Sequence, residues 1–170
     1  GGRVHQRGLA ALAISPAGDQ LWIGTRKSNT ARGQQRDGYR LGFDSTVRSM
    51  LATVDINLFK DDINAENPAD RYDFNDRDGP VALRFSPLGD YIYALLEGSN
   101  AIDIIDAYTR QLITSIDNIG YAPQGMTFTA DGGKLFVHSW LTRSIYVYDV
   151  GNLFGRDAAT PKLLAEINAV

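Results

Sequence analysis

The sequence predicts an all-β fold assembled from repeats of four short antiparallel strands. Three observations carry this: a sixteen-residue phrase that occurs three times, a constant spacing in the later copies, and short β-rich runs separated by turn residues. The phrase runs from Gly8 to Ile23, from Gly79 to Ala94 and from Ala122 to Val137, with Ser15, Ser86 and Thr129 in register and Gly18, Gly89 and Gly132 three residues on. Ser86 to Thr129 is 43 residues, and so is Asp106 to Asp149. That length belongs to the blade of a β-propeller, a four-stranded antiparallel unit of about 40–50 residues.

The 170 residues therefore read as one partial β-propeller domain with about three blades, at approximately 8–60, 79–120 and 121–170. The first copy is longer: Ser15 to Ser86 is 71 residues, an excess of 28. Taking Asp44 as the counterpart of Asp106 and Asp149 puts 9 extra residues in the middle hairpin and 19 between blades. The inserts then cover approximately 26–43 and 58–78. A ring needs about four to eight blades, so the two ends of a three-blade array expect cover from further blades, of the same polypeptide or of other chains.

Within the second copy, strands are expected at Val81–Ser86 and Tyr91–Leu96 around the turn Pro87-Leu88-Gly89-Asp90. Proline there presets φ and glycine accepts a positive φ. Ala101–Tyr108 and Gln111–Asp117 complete the unit, and Ser144–Val150 and Leu163–Asn168 repeat it in the third copy. No stretch keeps a 3.6-residue apolar period, so helices should be few. Trp22, Tyr93 and Phe136 share one repeat position and read as packing between blades.

Composition narrows the chemistry. Hydrophobic residues are 44% and charged residues 22%, ordinary for a globular chain, and a net charge of −3 draws the molecule to neither nucleic acid nor anionic lipid. No apolar run reaches the roughly 20 residues that span a bilayer, and residues 1–7 show no apolar signal region. With no cysteine, disulfides, thiol catalysis, iron–sulfur clusters and haem attachment through C-x-x-C-H are excluded from these residues. Only His5 and His138 offer imidazole.

Phe85-Ser86-Pro87-Leu88-Gly89-Asp90, Ala101-Ile102-Asp103-Ile104-Ile105-Asp106 and Ile145-Tyr146-Val147-Tyr148-Asp149 resemble the blade phrases of the YVTN family of bacterial and archaeal β-propellers. A narrower resemblance rests on Asp73 to Pro80, Ala122-Pro123-Gln124-Gly125 and Leu163 to Ile167, which look like the propeller of bacterial extracytoplasmic proteins that also carry a di-haem cytochrome c peroxidase-like domain. That resemblance implies a periplasmic or extracellular setting, with haem c held outside these repeats.

Two inserts and one histidine are the candidate sites. Asp73, Asn75, Asp76 and Asp78 place hard oxygen ligands within one turn, as calcium loops do, but Phe74 falls where an EF-hand needs its first Asp; a solvated acidic loop is the competing reading. The segment from Arg26 to Arg48 is basic, with Lys27, Arg32, Arg36 and Arg40 against Asp37 and Asp44, and Tyr39 and Phe43 its only rings. It can meet an acidic partner or pair with the acidic segment from Asp61 to Asp78. His138, beside Trp140, corresponds to Leu95 and Gly24 in the other copies, so the repeat does not require it. No nucleophile–histidine relay, phosphate-cradling glycine loop or metal motif is recognisable, and no catalytic, cofactor-binding or metal-ligating residue is assigned.

The expected function is a non-catalytic scaffold or protein-interaction module. The alternative is a propeller enzyme, lactonase-like or a metal-dependent hydrolase, with its site at the propeller mouth. Long loops on a rigid frame are where binding residues gather, so the two inserts are the expected contact face.

Overall fold

The structure is a computed structural model that describes residues 5–28, 47–58, 66, 70–153 and 160–168. Among the described residues twelve strands form three four-stranded antiparallel sheets, each contiguous in sequence. The first contains β1 (His5–Ile14), β2 (Gln20–Ser28), β3 (Val47–Asp55) and β4 (Tyr72–Asp73). The second contains β5 (Pro80–Phe85), β6 (Tyr91–Leu96), β7 (Ala101–Asp106) and β8 (Leu112–Asp117). The third contains β9 (Pro123–Phe128), β10 (Lys134–Ser139), β11 (Ser144–Asp149) and β12 (Lys162–Asn168). Among the described residues, helix is confined to short 3₁₀ turns, and no helix is long and apolar enough to cross a membrane.

One turn recurs between the first two strands of every sheet. The amides of Gly18, Gly89 and Gly132 donate to the carbonyls of Ser15, Ser86 and Thr129 at 2.8–2.9 Å. The hydroxyls of those three residues accept the amides of Gln20, Tyr91 and Lys134 at 3.0–3.1 Å. Each glycine sits at φ between +72° and +82°, where a side chain is strained. Ser86 and Thr129 thus occupy one position.

The third strands correct the alignment of the first blade. Asp55 pairs with Gln20 as Asp106 pairs with Tyr91 and Asp149 with Lys134. In each case the carboxylate accepts the amide two residues on, from Asn57, Tyr108 and Gly151 at 2.8–3.1 Å. Asp55, not Asp44, is therefore the equivalent residue, and Asp44 lies outside the described residues. The β2–β3 hairpin is 20 residues longer than its counterparts, and the link from Asp55 to Ser86 is only 8 longer than that from Asp106 to Thr129. The same aspartate turn, with Thr109 adding its amide at 2.7 Å, ends β7 at Asp106 rather than Tyr108. The acidic segment read as an insert supplies β4, which pairs Tyr72 with Leu51 and Asp73 with Met50. The first sheet therefore extends past residue 60.

The sheets stack face to face, with β1 beside β5 and β5 beside β9. Alternation along β6 divides the central sheet between two cores. Ile92, Ala94 and Leu96 join Trp22, Leu51 and Phe74 towards the first sheet, while Tyr93 and Leu95 join Leu135 and Val137 towards the third. A ring contact repeats at both junctions. Trp22 meets Phe85 edge-on at 5.8 Å, and Tyr93 meets Phe128 edge-on at 4.8 Å. At the ends the same positions lack partners among the described residues: Ile14, the counterpart of Phe85, is 60% exposed, and Phe136, the counterpart of Tyr93, is only half-buried. The array is an open, partial propeller.

Candidate functional site

Antiparallel order sends the β1–β2, β5–β6 and β9–β10 turns to one edge of the array. The β2–β3, β6–β7 and β10–β11 connections and the links between sheets go to the other, called here the loop edge. Two regions of the loop edge carry the distinctive side chains.

The first is a cleft of about 620 Å³ between the first and second sheets, lined by Arg26, Arg48, Ser49, residues 74–78, Gly98 and Ser99. Its floor is a tight link: Asp76 is left-handed at φ 54°, and Gly79, at φ 75°, passes so close to Gly98 that an added Cβ would lie 3.0 Å from the Gly98 amide nitrogen. Asp78 receives both forks of Arg26, at 2.9 and 3.0 Å, the Ser49 hydroxyl at 2.7 Å and the Gly79 amide at 2.7 Å. Burial pushes its carboxyl up, but Ser49, Arg26 and Gly79 together outweigh that and hold it below the usual carboxylate range. The amide of Asp78 donates to the Ser99 hydroxyl across the junction at 2.9 Å.

Arg77, next along the link, reaches the outer strands of the second sheet. Its Nη1 donates to Asp117 at 2.6 Å and its Nε lies 3.6 Å from Asp103. Asp103 is 2% exposed in the middle of β7 and accepts the Ser115 hydroxyl at 2.7 Å. Burial raises its pKa, while the Ser115 hydrogen bond and then Arg77 pull the other way. Lys27 is paired with Asp73, and Arg71 with Glu66 at 2.6 Å. Arg26, Lys27, Arg71 and Arg77 thus each have a carboxylate partner in this region.

That matching decides how the sequence candidates sit. Of the four oxygen-bearing residues considered for calcium, Asp73 and Asp78 are occupied by Lys27 and Arg26, while Asn75 and Asp76 are exposed. Among the described residues no group of three or more His, Asp or Glu is placed to hold a metal ion. The basic and acidic segments do pair, through Arg26–Asp78 and Lys27–Asp73; Arg32, Arg36, Asp37, Tyr39, Arg40, Phe43, Asp44 and Asp61 lie outside the described residues. His138 is exposed on β10, opposite Gly125 and Ile145. At the opposite edge, a smaller pocket of about 250 Å³ is closed by Arg110, whose guanidinium lies 4.0 Å above the Trp22 ring.

The second region lies on the third sheet and was not singled out from sequence. Tyr121, Trp140 and Leu141 are 68%, 65% and 68% exposed. They stand on two loops laced together by backbone bonds, Trp140 N to Ala122 O at 3.0 Å and Leu141 N to Tyr121 O at 3.2 Å. The Tyr121 amide also donates to the Thr142 hydroxyl at 2.6 Å, and the Ser139 hydroxyl donates to the Ile119 carbonyl. Gly120 makes the approach possible, since a Cβ there would lie 2.7 Å from the Tyr146 ring and 2.8 Å from the Thr142 hydroxyl. The signal in sequence was Trp140-Leu141, two large apolar residues in a turn that the second copy fills with Glu97-Gly98.

The chain matches no protein-family model and none of the curated proteins. Solved structures are similar. U3-55K superposes with a TM-score of 0.61 at 14% identity over 98% of this chain and 42% of its own. A putative 6-phosphogluconolactonase from Bacteroides uniformis gives 0.59 at 15% identity, again over 98% and 42%. The β-propeller domain of Cps50 (Swd1) from Myceliophteria thermophila gives 0.57 at 19% identity, over 98% of this chain and 60% of that domain. The chain thus spans between two-fifths and three-fifths of the length of these structures. At such identities the likeness speaks for the fold alone: three four-stranded blades of a β-propeller.

Proposed function

We propose that this chain is a non-catalytic interaction scaffold: a rigid stack of blades that docks a partner protein on its loop edge. The observation that carries this is the pairing of charges in and beside the cleft between the first and second sheets. Arg26, Arg77, Asp78, Asp103 and Asp117 are engaged with one another across the first junction, so they weld two blades together, whereas catalysis calls for an acid or base poised to exchange a proton with substrate. Further blades cover Ile14 and Phe136 at the two ends. The wider setting, an extracytoplasmic protein associated with cytochrome c electron transfer and with YVTN-type repeats, is supported by the sequence resemblance alone. The likeness to a lactonase-fold structure favours the second reading, an enzyme at the propeller mouth.

One preparation separates these readings. The native polypeptide, carrying a photo-crosslinking residue at Gln124, is irradiated in its own cells, fractionated, stained for covalent haem and assayed for hydrolysis of 6-phosphogluconolactone. A discrete protein adduct in a haem-positive extracytoplasmic fraction, with lactone opening at the buffer rate, is expected. Enzymatic lactone opening without an adduct would overturn the scaffold reading, and a haem-free cytoplasmic product would overturn the setting.

A further inference from the structure

The loop between the second and third strands is described in the second and third blades, and of these two only the third offers a bare aromatic platform. Tyr121, Trp140 and Leu141 expose about two-thirds of their surface on loops joined by backbone bonds, and Arg143 is exposed in the same four-residue turn as Trp140 and Leu141, its amide donating to the Trp140 carbonyl at 3.2 Å. Trp, Tyr and Arg are the side chains that carry most binding energy in protein interfaces. An apolar group this large and this exposed marks an interaction site. The platform is also rigid. Four residues of its two loops, Asn118, Gly120, Ala122 and Arg143, are left-handed, with φ from 50° to 82°. Hydrogen bonds from Tyr121 to Thr142, from Ser139 to Ile119 and from Ala122 to Asn100 fix that conformation. A surface already held in its binding shape loses little entropy on docking.

Charge selects the occupant. Among the described residues Arg143 makes no ion pair, and the carboxylate paired near it across β11 and β12, Glu166, is taken by the hydroxyls of Ser144 and Tyr146 at 3.0 and 3.1 Å. We infer that the Tyr121–Trp140–Leu141–Arg143 platform docks a partner protein segment in which a large apolar side chain is followed closely by an Asp or Glu. The apolar group seats on Trp140 and Leu141 and the carboxylate meets the Arg143 guanidinium. This rests on the scaffold reading and names its contact surface and the chemistry of its partner.

The probe is a random twelve-residue peptide library displayed on phage, panned against the whole chain, with individual peptides then measured by fluorescence anisotropy. Expected winners combine Leu, Phe or Trp with an acidic neighbour, bind at least about tenfold more weakly to Trp140→Ser, and lose about threefold with Arg143→Glu, the latter loss shrinking as salt rises. Both positions are exposed, so the variants should keep the parent circular dichroism and melting temperature; Leu141→Ser, read the same way, guards against a fold artefact at Trp140. Peptides that bind specifically but equally to all three variants would overturn the platform and leave the scaffold reading standing. A library that yields no binder above an unrelated protein would overturn both.

Discussion

The two junctions between blades share one apolar plan and differ in everything added to it. At each, an aromatic residue of one sheet meets the phenylalanine of the next, Trp22 on Phe85 and Tyr93 on Phe128. At each, the turn proline of one blade packs on the turn glycine of the next, Pro16 on Gly89 and Pro87 on Gly132. Ion pairs, however, belong to the first sheet and the first junction: those among the described residues fall between Arg26 and Asp117, and none lies in the third sheet. The second junction uses neutral donors, Ala122 N to Asn100 at 3.1 Å and Gln124 to Glu97 at 2.6 Å. The difference follows from the outer strands. β8 pairs with β7 along its length, whereas β4 is two residues long and offers only two ladder positions. Lys27–Asp73 and Arg26–Asp78 hold in place by charge what a backbone ladder holds elsewhere.

The most damaging test removes the cation from the buried acid. Arg77→Met leaves Asp103, 2% exposed, with the Ser115 hydroxyl as its remaining support. An uncompensated buried charge costs about 3 kcal/mol or more, so chemical denaturation at pH 7.5 should show a loss of that order. Asp103 already sits above the ordinary carboxylate range, chiefly through burial. In the window above the unfolded-state carboxylate pKa, the folded state therefore holds the proton more tightly and stability falls as pH rises. Without Arg77 that window widens upward, so the deficit of Arg77→Met should shrink between pH 7.5 and pH 5. An equal deficit at both values would mean that Arg77 works through Asp117 alone.

Much of this was legible beforehand. The three Ser/Thr turns, the strand order and the packing roles of Trp22 and Tyr93 were readable because each follows from a local rule repeated three times. Phe136 was read as core too, yet it is half-buried, because its position fills only when another sheet follows. The first blade was misaligned for a specific reason. Asp44 lies nearer the expected spacing than Asp55 does, but Ala52-Thr53-Val54-Asp55 carries the strand-ending phrase, and a 20-residue excursion in the β2–β3 hairpin hid it. β4 was read as insert since two residues leave no periodic signal. The inserts drew attention by length and charge, yet Arg26, Lys27, Arg71 and Arg77 each proved to be paired; Trp140 and Leu141 sit in a four-residue turn of ordinary length, which spacing cannot flag.

A milder test asks whether the turn contact itself binds neighbouring blades. Gly132 and Gly18 share a left-handed backbone, φ 72° and 74°, so alanine strains both equally, by about 1–2 kcal/mol. They differ in surroundings. A Cβ on Gly132 would lie 2.7 Å from the Pro87 ring, whereas one on Gly18 meets nothing within 4 Å. Gly132→Ala should therefore lose about 1 kcal/mol more than Gly18→Ala, the lower end of overpacking costs. Equal losses would show that the proline–glycine contact yields freely and does not set blade spacing.

The smallest expected effect concerns the pair that looks strongest. Arg26 grips Asp78 with two short bonds, yet the side chains are 49% and 56% exposed, and water screens such pairs to under about 1 kcal/mol. Arg26→Gln should cost no more than that at low salt, and the cost should fade as ionic strength rises and the Debye length contracts. The carboxylate still keeps the Ser49 hydroxyl and the Gly79 amide, so the link from β4 to β5 stays anchored. The lowered pKa of Asp78 gives a second readout. Stability that is complete above the usual carboxylate pKa is lost as pH falls through the depressed folded value, and removing Arg26 should raise that value, bringing the loss to higher pH. Arg26 is one of three groups holding it down, so a modest shift in the acid limb of the stability curve is expected. A loss well above 1 kcal/mol that resists salt would mean that the first junction depends on charge as heavily as on its apolar core.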